Sequence, residues 1–329
     1  TQDEVFNTRC AERNLLLADD LPGVDVRLSL RPAAGGAPGD LVGDIAVVRR
    51  RGSIDFNAQN YGAKALGRFG GLLRGEVFDV TGLGDRTSLA LFSTADFDEQ
   101  QTVQLGHDFA IGDDGLRMFG QFTYSWTDPD LALPGLDVES ETLFATLGMS
   151  YPVQRTRSAS HILSTGFDYV DQDLTVNDLR LTRDRVRTVF LRLESLYADP
   201  GSVAGSNGYS AFAPELGARG AIEIRQGIDV FDASPDCRRN PRACIVANVA
   251  PNRIEADPTP LLVRLEGQAD YRPLPDLRFS LGMSAQFTND PLPAFEEFSA
   301  GNYSIGRGYD PGSVLGDSGY ALSFEIGYG

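Results

Sequence analysis

From about residue 52 to the last residue, apolar and polar side chains alternate one for one through segment after segment. Successive side chains of a strand point to opposite faces, so this pattern writes a sheet with one apolar and one polar face. Leu277, Phe279, Leu281, Met283, Ala285 and Phe287 alternate with Arg278, Ser280, Gly282, Ser284 and Gln286. Tyr320, Leu322, Phe324, Ile326 and Tyr328 alternate with Ala321, Ser323, Glu325 and Gly327. The same reading places Ile222, Ile224, Ile228 and Val230 opposite Glu223, Arg225, Gly227 and Asp229. About twelve such segments of roughly ten residues follow one another, the length a tilted strand needs to cross a bilayer. Strands of soluble sandwiches run about five or six residues, which disfavours that alternative. Aromatic residues such as Tyr124, Trp126, Tyr151, Tyr197, Tyr271 and Tyr328 gather at segment ends, as at a membrane interface. Short turns (Val80 to Asp85, Ile111 to Gly115, Pro152 to Arg157, Pro273 to Asp276) take turns with long ones, notably Phe231 to Pro260 and Asn289 to Gly319. An all-β, antiparallel transmembrane barrel is the expectation.

Charge and rare residues narrow the function. With 29 Lys+Arg against 46 Asp+Glu the net charge is −17, which argues against a nucleic-acid partner needing a basic stripe. No apolar run approaches the roughly 20 residues of a membrane helix. The 42% apolar content and mean hydropathy of −0.19 suit a barrel with a polar interior as well as a soluble protein. Two histidines and three cysteines leave little room for metal or thiol chemistry, so no catalytic, cofactor or metal site is assigned. His107 and His161 read as wall residues, without a nucleophile elbow near them. Gly306-Arg307-Gly308-Tyr309 opens like a dinucleotide fingerprint, but the sixth position is Pro311.

The first fifty residues have another character. Residues 3 to 19 read as a helix capped by Asp3 and stopped at Pro22-Gly23, followed by strands at Val24 to Leu30 and Leu41 to Val48. The unit is too small for a whole domain and reads as the tail of one, with neither an initiator Met nor a signal peptide before it. Cys237 and Cys244 bracket a polar stretch and read either as a disulfide of an oxidising compartment or as two separate thiols. Zinc would need four ligands, and no other Cys or His lies nearby. Cys10 is expected to be a small buried residue.

The stretch Phe298-Ser299-Ala300-Gly301-Asn302-Tyr303-Ser304-Ile305-Gly306-Arg307-Gly308-Tyr309-Asp310-Pro311-Gly312, followed by Gly316-Asp317-Ser318-Gly319-Tyr320, resembles the signature loop of ShlB/FhaC/HecB-like two-partner secretion transporters, within the BamA-related outer-membrane superfamily. Ile54 to Gly62, Leu66-Gly67-Arg68 and Gly82 to Arg86 look like that family's first hairpin and first periplasmic turn. Glu12 to Val24 is similar to the end of its second periplasmic POTRA domain. The resemblance implies the C-terminal part of an α+β POTRA domain over 1–50 and a barrel over 51–329, with about twelve of sixteen strands present. It places Arg307, Gly308 and Tyr309 at the tip of a sixth outer loop, 289–319, folded back into the lumen. Gly316, Asp317 and Gly319 would open the next strand, and an acidic partner for Arg307 would lie on a strand beyond it. The function implied is export of an unfolded, β-helical exoprotein of adhesin or haemolysin type across the outer membrane of a Gram-negative bacterium. Membrane lipids and lipopolysaccharide would surround the wall, and no cofactor is implied. Alternation assigns Arg117, Gln121, Glu223, Arg225, Arg264, Glu266 and Gln268 to the lumen. An insertase of the same superfamily and, third, an enzyme built in a barrel are the competing readings.

Overall fold

The computed structural model describes residues 7–35, 39–130, 135–301 and 305–329. Helix α1 (Thr8–Asp19) comes first. The leading N–H groups of a helix have no partner within it. Here the Asn7 side chain accepts from those of Arg9 and Cys10, at 3.1 and 3.2 Å. The cap is Asn7; the expected cap, Asp3, lies outside the described residues. Cys10 is exposed rather than buried. It sits in the first turn, ahead of Glu12 and Arg13, where contact with the rest of the chain begins. A two-stranded ladder of β1 (Val24–Pro32) and β2 (Leu41–Arg49) follows, with Val24 opposite Arg49.

The remaining strands are β3 (Gly52–Gln59), β4 (Gly70–Phe78), β5 (Arg86–Thr94), β6 (Gln100–Ile111), β7 (Leu116–Thr127), β8 (Val138–Arg155), β9 (Ala159–Val176), β10 (Leu179–Ala198), β11 (Leu216–Gly227), β12 (Leu261–Leu274), β13 (Leu277–Thr288), the short β14 (Phe298–Ala300) and β15 (Val314–Gly316), and β16 (Gly319–Tyr328). Short helices α2 (Pro200–Ala204) and α3 (Pro241–Val246) lie in connections. β3 to β13 and then β16 pair in chain order as one antiparallel sheet of 12 strands, with β3 and β16 at its edges. β14 pairs with β15 inside the connection from β13 to β16.

The two faces of the sheet are those of a membrane wall. On β13, Leu281 is 52% exposed while Gln286, on the other face, is 2% exposed. Apolar outside and polar inside is the reverse of a soluble sheet. The inner face is the one on which Glu296 and Arg307 of the last long connection meet the wall.

Connection lengths depart from a strict short–long rhythm. β9 and β10 have 18 and 20 residues, and Asn177-Asp178 closes them with φ of 49° and 64°. Both residues tolerate the left-handed region, as a two-residue hairpin requires. The excursion at this outer end is thus built from strand. At the other end, residues 199–215 form a long connection, with Asp199 capping α2. Pro152 to Arg155 belong to β8, and Pro273 and Leu274 to β12, so those two turns are tighter than expected. Ile228 and Val230 lie past the end of β11, where the chain leaves the sheet and the Ile228 N–H bonds Arg187 O at 2.8 Å.

Candidate functional site

The sixth outer connection runs from β13 to β16 and returns across the inner face. Its first turn, a 3-10 turn at Ala294–Glu296, places Glu296 against the wall with 1% of its surface exposed. Arg225 on β11 grips this carboxylate with two bonds, Nε to Oε2 at 3.0 Å and Nη2 to Oε1 at 2.7 Å. Arg264 on β12 adds Nη2 to Oε2 at 2.7 Å, and Thr188 on β10 donates to Oε1 at 3.3 Å. Gln286 on β13 donates to the Glu296 carbonyl at 2.8 Å. Four neighbouring strands therefore meet one loop residue.

The network spreads sideways from Arg225. Its Nη1 reaches Asp168 Oδ2 and Glu223 Oε1, both at 2.9 Å. Glu223 accepts from Arg192 at 2.9 Å, and Arg192 reaches on to Glu266 at 3.4 Å. Asp168 accepts from Thr146 on β8 at 2.7 Å. Planar, bidentate guanidinium–carboxylate pairs of this kind are the strong hydrogen bonds of a protein. Beside them Phe295 stacks on Phe144, with ring centroids 5.9 Å apart.

Of the seven residues assigned inward, the structure gathers Glu223, Arg225 and Arg264 around Glu296, and joins Glu266 through Arg192. Gln268 bonds Arg219 on the same face at 2.5 Å. Arg117 stands apart, between Asp108 (3.0 Å) and Gly84 O (3.0 Å), and Gln121 only touches Thr123 at 3.5 Å. Glu296 itself is absent from the sequence assignment. It lies in an aperiodic, proline-rich stretch, Pro291-Leu292-Pro293-Ala294-Phe295-Glu296, where alternation says nothing. The acid pair Glu296-Glu297 at the end of an apolar stretch, opposite two inward arginines, was the available signal.

At the tip, Arg307 Nη2 donates to Glu325 on β16, so an acid within this chain faces it. Gly306 has φ of 79°, and the Tyr309 N–H returns to its carbonyl at 3.0 Å. Tyr309 is exposed, and Gly308 has open space around it. Asp310 accepts from the Lys64 N–H at 3.0 Å and from Arg68 at 3.2 Å, tying the tip to the first outer connection. Asn302, Tyr303 and Ser304 of the motif lie outside the described residues. Gly316 ends β15; Gly319 opens β16 with the Phe298 ring against it, where a side chain would collide. Asp317 accepts from Arg253 and from the Leu292 N–H at 2.9 Å. Burial pushes its carboxyl up, but those two donors outweigh it and hold it below the ordinary aspartate range. Cys237 and Cys244 are disulfide-bonded in the fifth outer connection.

Two cavities flank this arrangement. One of about 980 Å³ lies between the sixth connection and the wall, lined by Arg192, Glu266, Gln268, Arg307 and Glu325 among others. Another of about 1310 Å³ opens at the opposite end beside Leu17, Arg86, Asp108 and Arg117. Ser160, Ile162 and Leu196 line both.

An antiparallel wall with an apolar outer face, a charged inner face and a loop folded inward defines the class of outer-membrane barrel proteins. Residues 45–329 match the haemolysin secretion/activation protein family ShlB/FhaC/HecB, and the chain belongs to that family of outer-membrane transporters. Comparison with curated protein sequences finds no match. Among solved structures, CdiB from Escherichia coli is similar at a TM-score of 0.75 and 16% identity, over 98% of this chain and 56% of that one. CdiB from Acinetobacter baumannii gives 0.65 and 12%, over 100% and 59%. BamA from Haemophilus ducreyi lacking POTRA domains 1-3 gives 0.55 and 14%, over 96% and 59%. The chain thus spans between 56% and 59% of these relatives.

Proposed function

We propose that this protein exports an unfolded exoprotein of adhesin or haemolysin type from the periplasm to the cell surface through the barrel interior. The observation that carries the proposal is the sixth outer loop, seated on the inner face at a buried carboxylate and so lying in the path a client would take. The two cavities, meeting at Ser160, Ile162 and Leu196, support a passage along the same axis. Residues 8–49 are read as the end of a POTRA domain. Strand addition onto such a domain suits capture of an extended client. The polar inner residues, Arg117, Gln121, Glu223, Arg225, Arg264, Glu266 and Gln268, keep that passage wet. The outer face meets lipid, with lipopolysaccharide around its upper rim. Neither histidine suggests catalysis. His161 Nδ1 meets Ser195 Oγ and His107 Nδ1 meets Thr87 Oγ1, both at 2.9 Å, with no carboxylate completing a triad among the described residues.

The loop tip supplies the test. Arg307→Ala and Glu325→Gln should each leave the protein inserted but cut secretion at least about tenfold, a loss of roughly 1.4 kcal/mol in the step that needs the contact. Arg307→Lys should also be impaired, since an ammonium lacks the guanidinium fork. The measurement is exoprotein in the medium relative to transporter in the membrane. Native secretion by Arg307→Ala at native membrane level would remove the tip from the mechanism.

A further inference from the structure

The fifth outer connection, 228–260, does more than carry the disulfide. Arg253 Nη1 donates to Leu292 O and to Glu297 Oε1, both at 2.9 Å, and to Asp317 Oδ1 at 2.5 Å. Leu292 and Glu297 lie on the leg of the sixth loop that leaves β13. Asp317 lies on the leg that returns to β16. One guanidinium therefore joins both legs at the root of the loop. Its Nη2 also reaches Asp317 Oδ2 at 3.5 Å, so two nitrogens of the planar fork face that carboxylate, where an ammonium offers one.

Arg253 is in turn held from outside the sixth loop. The neighbouring Asn252 N–H donates to both oxygens of Asp184 on β10, at 3.1 and 3.2 Å. The Arg183 N–H donates to Ala250 O at 2.8 Å. Arg238, next to the bridged Cys237, donates to Asp257 at 2.8 Å, and the Asp257 N–H meets Pro291 O at 2.7 Å. The fifth connection thus stands on the wall at β10 and reaches over to the sixth at two places, Arg253 and Asp257. It is not the remote surface loop that its length and polarity suggest.

We infer that the fifth outer loop is the catch that keeps the sixth inside the barrel, with Arg253 as the positioning residue. Letting go of Glu297 and Asp317 lets the two legs separate and leaves the inner segment held by the Glu296 cluster and the tip contacts, so that it is more easily displaced from the passage. The inference rests on the transport reading, but its test needs no client.

The full-length protein is reconstituted in planar lipid bilayers and its ion conductance recorded without exoprotein. Arg253→Ala, checked for unchanged heat-modifiable migration on gels, should spend about tenfold more time in its larger-conductance state, within the range of ordinary coupling between sites. Glu255→Ala removes another carboxylate from Arg253 (Nε to Oε1, 3.1 Å) but leaves the legs joined, and should behave as the native protein. Arg253→Lys keeps the charge without the fork and should fall between. Native conductance in folded Arg253→Ala, or equal effects of the two alanine variants, would overturn the catch. If Arg253→Ala fails to insert, Asp317→Asn, which weakens one leg only, carries the same two outcomes. Secretion by these variants is scored separately. Altered conductance in a protein that exports nothing would sink the transport reading and leave the catch standing.

Discussion

One carboxylate holds most of what is unusual at the level of single residues. Glu296 lies almost wholly buried between Arg225 and Arg264, and Arg225 is itself buried beside Asp168 and Glu223. Buried ion pairs gain little over a well-packed apolar core, but removing one partner leaves the others stranded at a cost of about 3–5 kcal/mol. Glu296→Ala should therefore lower the temperature at which the protein loses its heat-modifiable gel migration, and loosen the sixth loop with it. Glu296→Gln keeps the shape but not the charge and should be affected less. A midpoint unchanged in Glu296→Ala would mean that the loop is seated by something else. The sequence offered only half of this site. Arg225, Arg264 and Glu223 stand out because strand alternation assigns them a face. Glu296 and Arg253 do not, since they lie in connections, whose folding follows no period along the chain.

At the level of elements, alternation carries its information because a strand has only two faces and the membrane makes them opposite in kind. That is why the order, direction and facing of the twelve sheet strands were legible. Strand ends were not. Val230 continues the apolar pattern of β11 after the ladder has stopped at Gly227, and β9 and β10 continue where no lipid requires them. Facing itself is open to test on β13. Leu281 points outward, and an arginine there at mid-bilayer would cost about 2–4 kcal/mol. Ser280 points inward beside Asp270, to which its hydroxyl donates, so an arginine there has a carboxylate to meet. Leu281→Arg should hinder assembly, read as loss of the heat-modifiable form, whereas Ser280→Arg should assemble. Equal outcomes would mean that the two faces are exchanged.

Across the whole molecule, α1 is fastened to the periplasmic end of the wall. Arg155 makes two bonds of 2.7 Å to Asp20, and the Arg157 N–H donates to Glu12 at 2.8 Å. Between these, Leu21 packs on Gly84 and Leu17 on Gly115, glycines with φ of 58° and 90° in the periplasmic turns. A side chain at Gly115 would stand 2.7 Å from both Leu17 and Pro152, in a backbone conformation that β-branched residues avoid. Gly115→Val should lift α1 from the wall while the barrel still assembles. Spin labels on α1 and β8 would then give a broad distance distribution; a narrow one matching the native protein would refute the fastening. At the opposite end, the pairing of β10 with β11 begins only at Thr188, so Leu179 to Arg187 stand free of that neighbour. Nine residues are roughly 30 Å of strand. Arg183, Arg185 and Arg187 occupy the face that carries Val189 and Leu191 lower down, so this part rises above the lipid. A bacteriophage or an antibody approaching the cell would meet the tip of this hairpin early; the tip pairs with β9 through its backbone, while Arg183 to Arg187 below it also bind the fifth connection. The exposed side chains at its tip, Leu179 to Leu181, are thus at liberty to change under such pressure while the ladder persists, so natural variants that escape recognition should differ there before they differ at the Glu296 cluster or at the buried Asp184 to Arg187.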